Sequence, residues 1–162
     1  MKEIFLTQNQ VAIVDDEDFD RVNKFKWCAR WNRNEKSFVA MRGVTQNTKI
    51  LNPYILMHRF IVGARKGMFV DHINHDTLDN RKQNLRVCTN SENCMNRNIE
   101  IRNTSGYKGV SFNKVSNKWI AYIKKNQKQV YLGRFENKKD AAIAYNERAI
   151  IEHGKFALIN KL

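Results

Sequence analysis

The alternation of hydrophobic and polar positions divides the chain into groups of short strands, each followed by a helix. The first 50 residues predict a small α+β unit with two strands, a helix that starts at Asp15 and a hairpin. These elements are expected at residues 4–7, 11–14, 15–25, 27–32 and 37–44. Within the hairpin, Trp27, Ala29 and Trp31 share one face.

The middle of the chain, residues 51–98, predicts a buried helix and then a strand, loop, strand and helix. The buried helix is expected after Pro53 and should stop at Gly63. A short apolar strand carries residues 71 and 72, and a second strand covers 85–88. Thr89 and Glu92 have the spacing of a capping box, so we expect Asn93 in the first full turn of the following helix.

The last part, residues 106–162, predicts three strands and one long helix that begins at Asn137 and ends near His153. Residues 99–105 are polar and basic and are interpreted as a linker. Alternation along the strands predicts one face that packs against the helix and one open face. The helix-facing side chains are expected to be Trp119, Ala121, Ile123, Val130 and Leu132, and the open face Ile120, Tyr122, Lys124, Gln129 and Tyr131.

The net charge of the chain is the strongest indication of its binding partner. The chain has 29 Lys and Arg against 16 Asp and Glu, a formal net charge of +13. Residues 97–139 hold eleven of the bases and two acids, so a polyanion, with nucleic acid favoured over membrane, is the expected partner. No signal peptide or membrane helix is predicted, and three cysteines fit reduced side chains in the cytoplasm.

Four polar residues of the middle segment have the chemistry needed to hydrolyse a phosphodiester. His72 can act as a general base because an imidazole with a pKa of about 6.5 is largely neutral at pH 7. Asp71 and Asn93 offer hard oxygen ligands, which suit Mg²⁺ or Mn²⁺ better than zinc. A polar loop rich in Asn and Asp is also common in ordinary turns, so the spacing of the whole set carries the argument.

Residues 70–96 resemble the HNH nuclease motif, in the Asp-His variant found in phage and intron homing endonucleases. Asp71-His72 matches its first element, Asn84 before Leu85 its middle Asn, and Asn93 its third. The resemblance implies a ββα-metal nuclease module in which Asn84 braces the loop and orients the base. One departure is His75, which stands where that family usually has a turn glycine.

Residues 106–162 resemble the ethylene-response-factor (APETALA-type) DNA-binding domain, which is a three-stranded antiparallel sheet packed on one helix. The matching stretches begin at Tyr107, Tyr131, Ala141 and Phe156. The resemblance implies contacts with double-stranded DNA from Lys108, Ser111, Asn113, Tyr122, Lys124 and Tyr131. Ser111 and Asn113 replace arginines usual in that family, so its target sequence does not transfer.

Together these observations predict an α+β, metal-dependent, homing-type DNA endonuclease that needs no small-molecule cofactor. Acting as a monomer with one catalytic motif, it would nick one strand per encounter. If the gene is phage-borne, the enzyme would work in the cytoplasm of a bacterial host. The alternative is a sequence-specific DNA-binding regulator whose nuclease site is not catalytic.

Overall fold

The fold, seen in a computed structural model, consists of small antiparallel sheets and short helices in two compact units. Residues 1–33, 36–44, 54–99, 102–126 and 128–162 are described. The contacts within the chain separate Met1–Thr89 from Asn90–Leu162. The sequence-based expectation of an α+β protein with antiparallel sheets is confirmed.

In its described residues, the first unit contains three sheets and two helices. Its strands are β1 (Lys2–Phe5), β2 (Val11–Val14), β3 (Cys28–Asn32), β4 (Ser37–Gly43), β5 (Tyr54–Leu56), β6 (Phe69–His72) and β7 (Leu85–Cys88). Its helices are α1 (Asp16–Asn23) and α2 (Met57–Val62). β1 pairs with β2, β4 lies between β3 and β5, and β6 pairs with β7, all antiparallel.

One hydrophobic core joins the N-terminal elements to the hairpin β6–β7. Ile4 and Trp27 pack in the same cluster as Met57, Ile61 and Leu85. The boundary expected near residue 50 therefore does not separate two cores. Residues 1–50 instead help to build the platform that supports the hairpin.

Two local predictions in this unit differ from the structure. Tyr54–Leu56 forms a strand because its backbone pairs with residues 41–43, and the helix begins only at Met57. It ends at Gly63 in the left-handed region (φ 59°), as the apolar run predicts, whereas Pro53 lies outside the described residues. The first strand covers Lys2–Phe5 rather than 4–7, and Trp31 is 48% exposed although it alternates with two buried residues.

The part of the second unit that the structure describes contains one sheet and two α-helices. Its elements are α3 (Asn90–Met95), β8 (Val110–Asn113), β9 (Lys118–Lys125), β10 (Lys128–Phe135) and α4 (Lys138–His153). β9 is central, with β8 and β10 antiparallel on either side. Asn137 caps α4 by accepting a hydrogen bond from the backbone N–H of Asp140 at 2.9 Å.

Small residues let α4 lie close to the sheet. Ala121 and Val110 pack against Ala141 and Ala142, and Ile123 packs against Tyr145. Gly109 has φ +75°, and a β-carbon there would come within 2.1 Å of the Tyr145 ring. Ile120, expected on the open face, is buried at 5% exposure.

Candidate active site

The hairpin β6–β7 places an aspartate on one strand opposite an arginine on the other. Antiparallel register pairs Asp71 with Arg86 and His72 with Leu85. The Arg86 guanidinium donates from Nε to Oδ2 of Asp71 at 2.7 Å, and its second nitrogen lies 2.5 Å from the same oxygen. Both side chains are largely buried, so the pair is a charge-assisted contact shielded from water.

The loop between the two strands is held by Asn84, the last residue of a 3₁₀ turn before β7. Its Oδ1 accepts a hydrogen bond from the Asn74 backbone N–H at 2.9 Å, and its Nδ2 donates to the Asp79 carbonyl at 2.8 Å. Its own carbonyl accepts from Ile73 N–H at 2.9 Å. One buried amide therefore fastens both halves of the loop that follows His72.

Asp79 and the first helix fix the far side of this loop. Asp79 accepts from the Arg81 side chain at 2.8 and 2.7 Å and from Asn74 Nδ2 at 3.0 Å. The hydrogen bond from Arg81 is the main reason why the pKa of Asp79 lies below its usual value. Asp15, ahead of α1, accepts from the Lys82 backbone N–H at 2.7 Å, which ties the loop to the N-terminal elements.

His72 is buried and contacts a second histidine. Its side chain is buried, and the His58 ring meets it edge to face with 5.0 Å between centroids. Burial lowers the pKa of His72, although the Asn80 side chain and the carboxylates of nearby aspartates act in the opposite direction. An imidazole that stays neutral can accept a proton, which is what a general base requires.

Burial lowers the pKa of His58 even further, to about 3, and the neighbouring His72 adds to the effect. His58 is therefore neutral over the whole physiological range. It stands on α2, whose core-facing residues Met57 and Ile61 fix the helix beneath the hairpin. The ring contact with His72 favours a supporting role for His58 at the candidate site.

Asn93 belongs to a different compact unit from the other predicted site residues. Asp71, His72 and Asn84 belong to the first unit, whereas Asn93 is half-buried on α3 at the start of the second. α3 begins at Asn90, directly after Thr89, which is where the capping-box spacing places the first helical residue. The assignment of Asn93 as a metal ligand stays a prediction.

The donor set suits a hard divalent cation. Asp71 supplies a carboxylate and Asn93 would supply an amide oxygen, and such oxygens are preferred by Mg²⁺ and Mn²⁺. Among the described residues, no group of three or more His, Cys, Asp and Glu side chains is arranged to hold a metal, as zinc would require. The ion pair with Arg86 neutralises the Asp71 carboxylate, so a cation would have to share this carboxylate with the guanidinium or displace it.

Comparison with known proteins matches residues 58–95 to the HNH endonuclease family. Protein 3.8 of Escherichia phage T7 is 33% identical over 92 residues, which cover 57% of this chain and 75% of that protein. A protein of Acanthamoeba polyphaga mimivirus named as an uncharacterized HNH endonuclease is 33% identical over 113 residues, or 65% of this chain and 57% of its own length.

The chain belongs to the HNH endonuclease family. Family membership indicates a nuclease that acts on DNA, and HNH nucleases generally use a divalent metal. The matched segment starts at His58 and ends at Met95, so it includes α2, the hairpin and α3. None of the described helices is long and apolar enough to cross a membrane.

The second unit of this HNH protein carries the six residues predicted to contact DNA. Ser111, Lys124 and Tyr131 are exposed, and Asn113 and Tyr122 are half-buried. Tyr122 and Tyr131 are direct cross-strand partners, with ring centroids 5.6 Å apart. The sixth residue is different, because the Lys108 ammonium donates to the carbonyl oxygens of Met95 at 2.5 Å and Arg97 at 2.7 Å.

Sequence reasoning left two contacts of the site unidentified. The pairing of Arg86 with Asp71 requires the register of the hairpin, which residue types alone do not reveal. The ion pair of Asp79 with Arg81, two positions further on, was also unassigned, because the sequence does not show that the Asp79 carboxylate is buried. A search for oppositely charged residues on neighbouring predicted strands would have found the pair of Asp71 and Arg86.

Proposed function

We propose that this chain is a metal-dependent, homing-type HNH endonuclease that nicks double-stranded DNA. The observation that carries the proposal is the arrangement of Asp71 and His72 on one strand end, with the loop behind them fastened by Asn84. This arrangement falls within the segment that matches the HNH endonuclease family. We assign β6, β7 and α3 to the ββα-metal module of that family.

In the proposed reaction His72 accepts a proton from a water molecule whose oxygen attacks phosphorus. The bond from phosphorus to the 3′ oxygen breaks, and the departing oxygen takes a proton from solvent. The products are a 5′ phosphate and a 3′ hydroxyl. Asn84 holds the loop through its two side-chain hydrogen bonds, so the imidazole keeps its orientation during proton transfer.

Asp71 and Asn93 are the residues that would hold Mg²⁺ or Mn²⁺. When bound, the cation supplies positive charge that stabilises the negative charge developing on the phosphate and the leaving oxygen. Arg86 is already paired with Asp71 and keeps that carboxylate in place. We propose that the same guanidinium, which lies beside Asp71, also provides a positive contact for the scissile phosphate.

We propose that the sheet of the second unit, an APETALA-type domain, selects the DNA. Its open face presents the exposed side chains of Ser111, Lys124 and Tyr131 beside Tyr122. A lysine suits phosphate oxygens, and hydroxyl or aromatic groups suit base edges in the major groove. A match to a phage protein supports a setting in an infected bacterium, where the enzyme would act in the cytoplasm as a monomer.

The test is incubation of the purified protein with supercoiled plasmid carrying candidate target sequences. We expect open circles to form before any linear DNA when Mg²⁺ or Mn²⁺ is present, and no cutting in EDTA. His72→Ala provides the control for a contaminating nuclease. Activity restored by zinc alone would contradict the assigned ligands, and immediate linear product at low protein concentration would indicate a dimer.

The second candidate is a DNA-binding regulator without catalysis. The observation that favours it is the Asp71 carboxylate, which is engaged by Arg86 through two of the three guanidinium nitrogens, Nε and Nη2. The same assay separates the two functions, because a regulator would bind duplex DNA selectively and leave the plasmid supercoiled with every divalent metal.

A further inference from the structure

Lys108 is fixed at both its backbone and its ammonium group. The Asn160 side chain accepts from the Lys108 backbone N–H at 2.6 Å and donates to its carbonyl at 3.1 Å. Asn160 is in turn tied to Asn146 of α4 by two hydrogen bonds of 2.8 and 3.0 Å. The base of the Lys108 side chain is thus anchored to the sheet and helix of the second unit.

The other end of Lys108 meets the C-terminal end of α3. The last carbonyl groups of a helix have no partner within it, and a cation placed there gains charge-assisted hydrogen bonds. The ammonium of Lys108 donates to two such oxygens, of Met95 at 2.5 Å and of Arg97 just beyond the helix at 2.7 Å. Lys108 therefore connects the end of α3 to the segment that leads into β8, within one unit.

This contact competes with the DNA contact expected of Lys108. Two of the three ammonium protons are directed at protein oxygens, and moving them to a phosphate would leave the end of α3 without these donors. Lys124 on β9 offers a contrast, since its side chain is exposed and its backbone carbonyl is engaged by His153 Nε2 at 2.9 Å. The two lysines therefore have different tasks.

An open groove shows why the position of α3 matters to the sheet. The groove has a volume of about 910 Å³ and is lined on one side by Asn90 and Cys94 of α3 and on the other by Tyr122 and Lys124 of β9. Lys108 lies along the same groove. A shift of α3 would change the width of the groove and carry Asn93 with it.

We propose that Lys108 is a positioning residue that sets α3, and with it Asn93, against the DNA-recognition sheet. The proposal rests on the proposed function, in which Asn93 is a metal ligand and the sheet contacts DNA. Lys108 acts through the carbonyl groups of α3 and does not itself neutralise a phosphate. It therefore supports metal use by the enzyme and contributes little to the electrostatic affinity for DNA.

The experiment compares Lys108→Met with Lys124→Met in the full chain. DNA binding is measured in EDTA at several salt concentrations, and plasmid nicking is measured over a Mg²⁺ titration. For Lys108→Met we expect an unchanged salt slope and a Mg²⁺ requirement raised about 10-fold, as when a group that supports a metal ligand is removed. For Lys124→Met we expect a salt slope smaller by about one and an unchanged Mg²⁺ requirement.

Lys108→Arg keeps a cation and its donors, so it should retain a Mg²⁺ requirement close to that of the wild type. If Lys108→Met does not fold, Lys108→Gln, which keeps one donor group, replaces it with the same expected direction. A salt slope reduced by about one for either neutral variant, with normal Mg²⁺ dependence, would overturn the proposal and make Lys108 a phosphate contact.

Hydrogen exchange separates failure of this proposal from failure of the proposed function. If the wild type never cuts DNA, the nuclease assignment fails, yet the amides of residues 93–97 should still exchange faster in Lys108→Met than in Lys108→Arg. Equal exchange in the two variants would show that Lys108 does not hold α3 and would overturn the positioning role.

Discussion

The loop after His72 and the open face of the sheet in the second unit differ in whether their side chains already have partners. The loop is closed by buried hydrogen bonds from Asn84 and by the ion pair of Asp79, so these side chains have defined partners. The sheet face exposes Lys124 and Tyr131 to solvent. Chemistry on a fixed phosphate needs groups held in place, whereas recognition of DNA needs groups that can still make new contacts.

The sharpest test of this contrast is His72→Ala. We expect nicking to fall about 10² to 10⁴-fold, because the end of β6 no longer carries a general base, while DNA binding by the second unit persists. Plasmid nicking and a duplex binding titration give the two readouts. His75→Asn is the matched control, since His75 is a nearby histidine with φ 66° that Asn also tolerates. A near-normal rate for His72→Ala would remove His72 from the mechanism.

A second test compares the stability contributed by each region. Asn84→Ala should lower the free energy of unfolding by about 2–3 kcal/mol, because it leaves the Asn74 N–H and the Asp79 carbonyl without their buried partner. Tyr131→Ala on the exposed face should cost much less, about 0.5 kcal/mol. Urea unfolding of both variants measures the difference. Similar changes in both variants would contradict the distinction between a fixed loop and an adaptable surface.

Acid should weaken the first unit through its buried histidines. The folded-state pKa of His58 is about 3, below the ordinary value of 6.5, so the unfolded chain binds more protons between these values. The contribution of the neutral His58 to the free energy of unfolding is therefore fully present above pH 6.5. It decreases as the pH drops towards 3, and the loss is about 2 kcal/mol at pH 5. Asp79 has a lowered pKa, and its contribution disappears only as the pH falls below 3.8.

His58→Gln separates this effect from general acid sensitivity. Urea unfolding between pH 7 and 4.5 should show a shallower decrease in the variant, although part of the slope remains because the pKa of His72 is also lowered. The lowered pKa of His72 also predicts that the nicking rate of the wild type begins to decrease only at a pH below 6.5. Parallel stability curves for the wild type and His58→Gln would contradict the buried neutral histidine.

The smallest effects are expected on the open face of the sheet. Tyr122→Phe or Asn113→Ala should change the preferred DNA sequence, by about 1–3 kcal/mol for each hydrogen bond to a base edge that the substitution removes. Their effect on unfolding should be small, since Tyr122 is only half-buried. Binding to specific and scrambled duplexes, by the full chain and by a truncation ending near residue 103, measures the preference. Equal discrimination by both proteins would move recognition into residues 1–69.

Sequence alone could predict the elements whose pattern is local. The Asn137 cap and the strand over 85–88 follow from residue type and alternation, and both are present. The strand Tyr54–Leu56 was predicted as helix because a short apolar run fits either element until its partner strand is known. Long-range backbone pairing decides such cases, and no short motif reports it.

The candidate site shows the same division between local pattern and distant partner. The spacing of Asp71, His72, Asn84 and Asn93 was visible in the sequence, because these residue types are rare together at those intervals. The partner of Lys108 was not visible, since backbone carbonyls accept its hydrogen bonds and every residue has one. The contact between His58 and His72 likewise depends on how α2 packs, not on a motif.

The hydrogen bonds between Asn160 and Lys108 also bear on the order in which the second unit folds. They close a loop of 52 residues, whereas Lys108 reaches Met95 across only 13. Contacts between distant residues form later, because closing a long loop costs more chain entropy. We expect the sheet and α4 to assemble first and Asn160 to lock Lys108 last, so that Asn160→Ala accelerates unfolding while leaving the folding rate nearly unchanged.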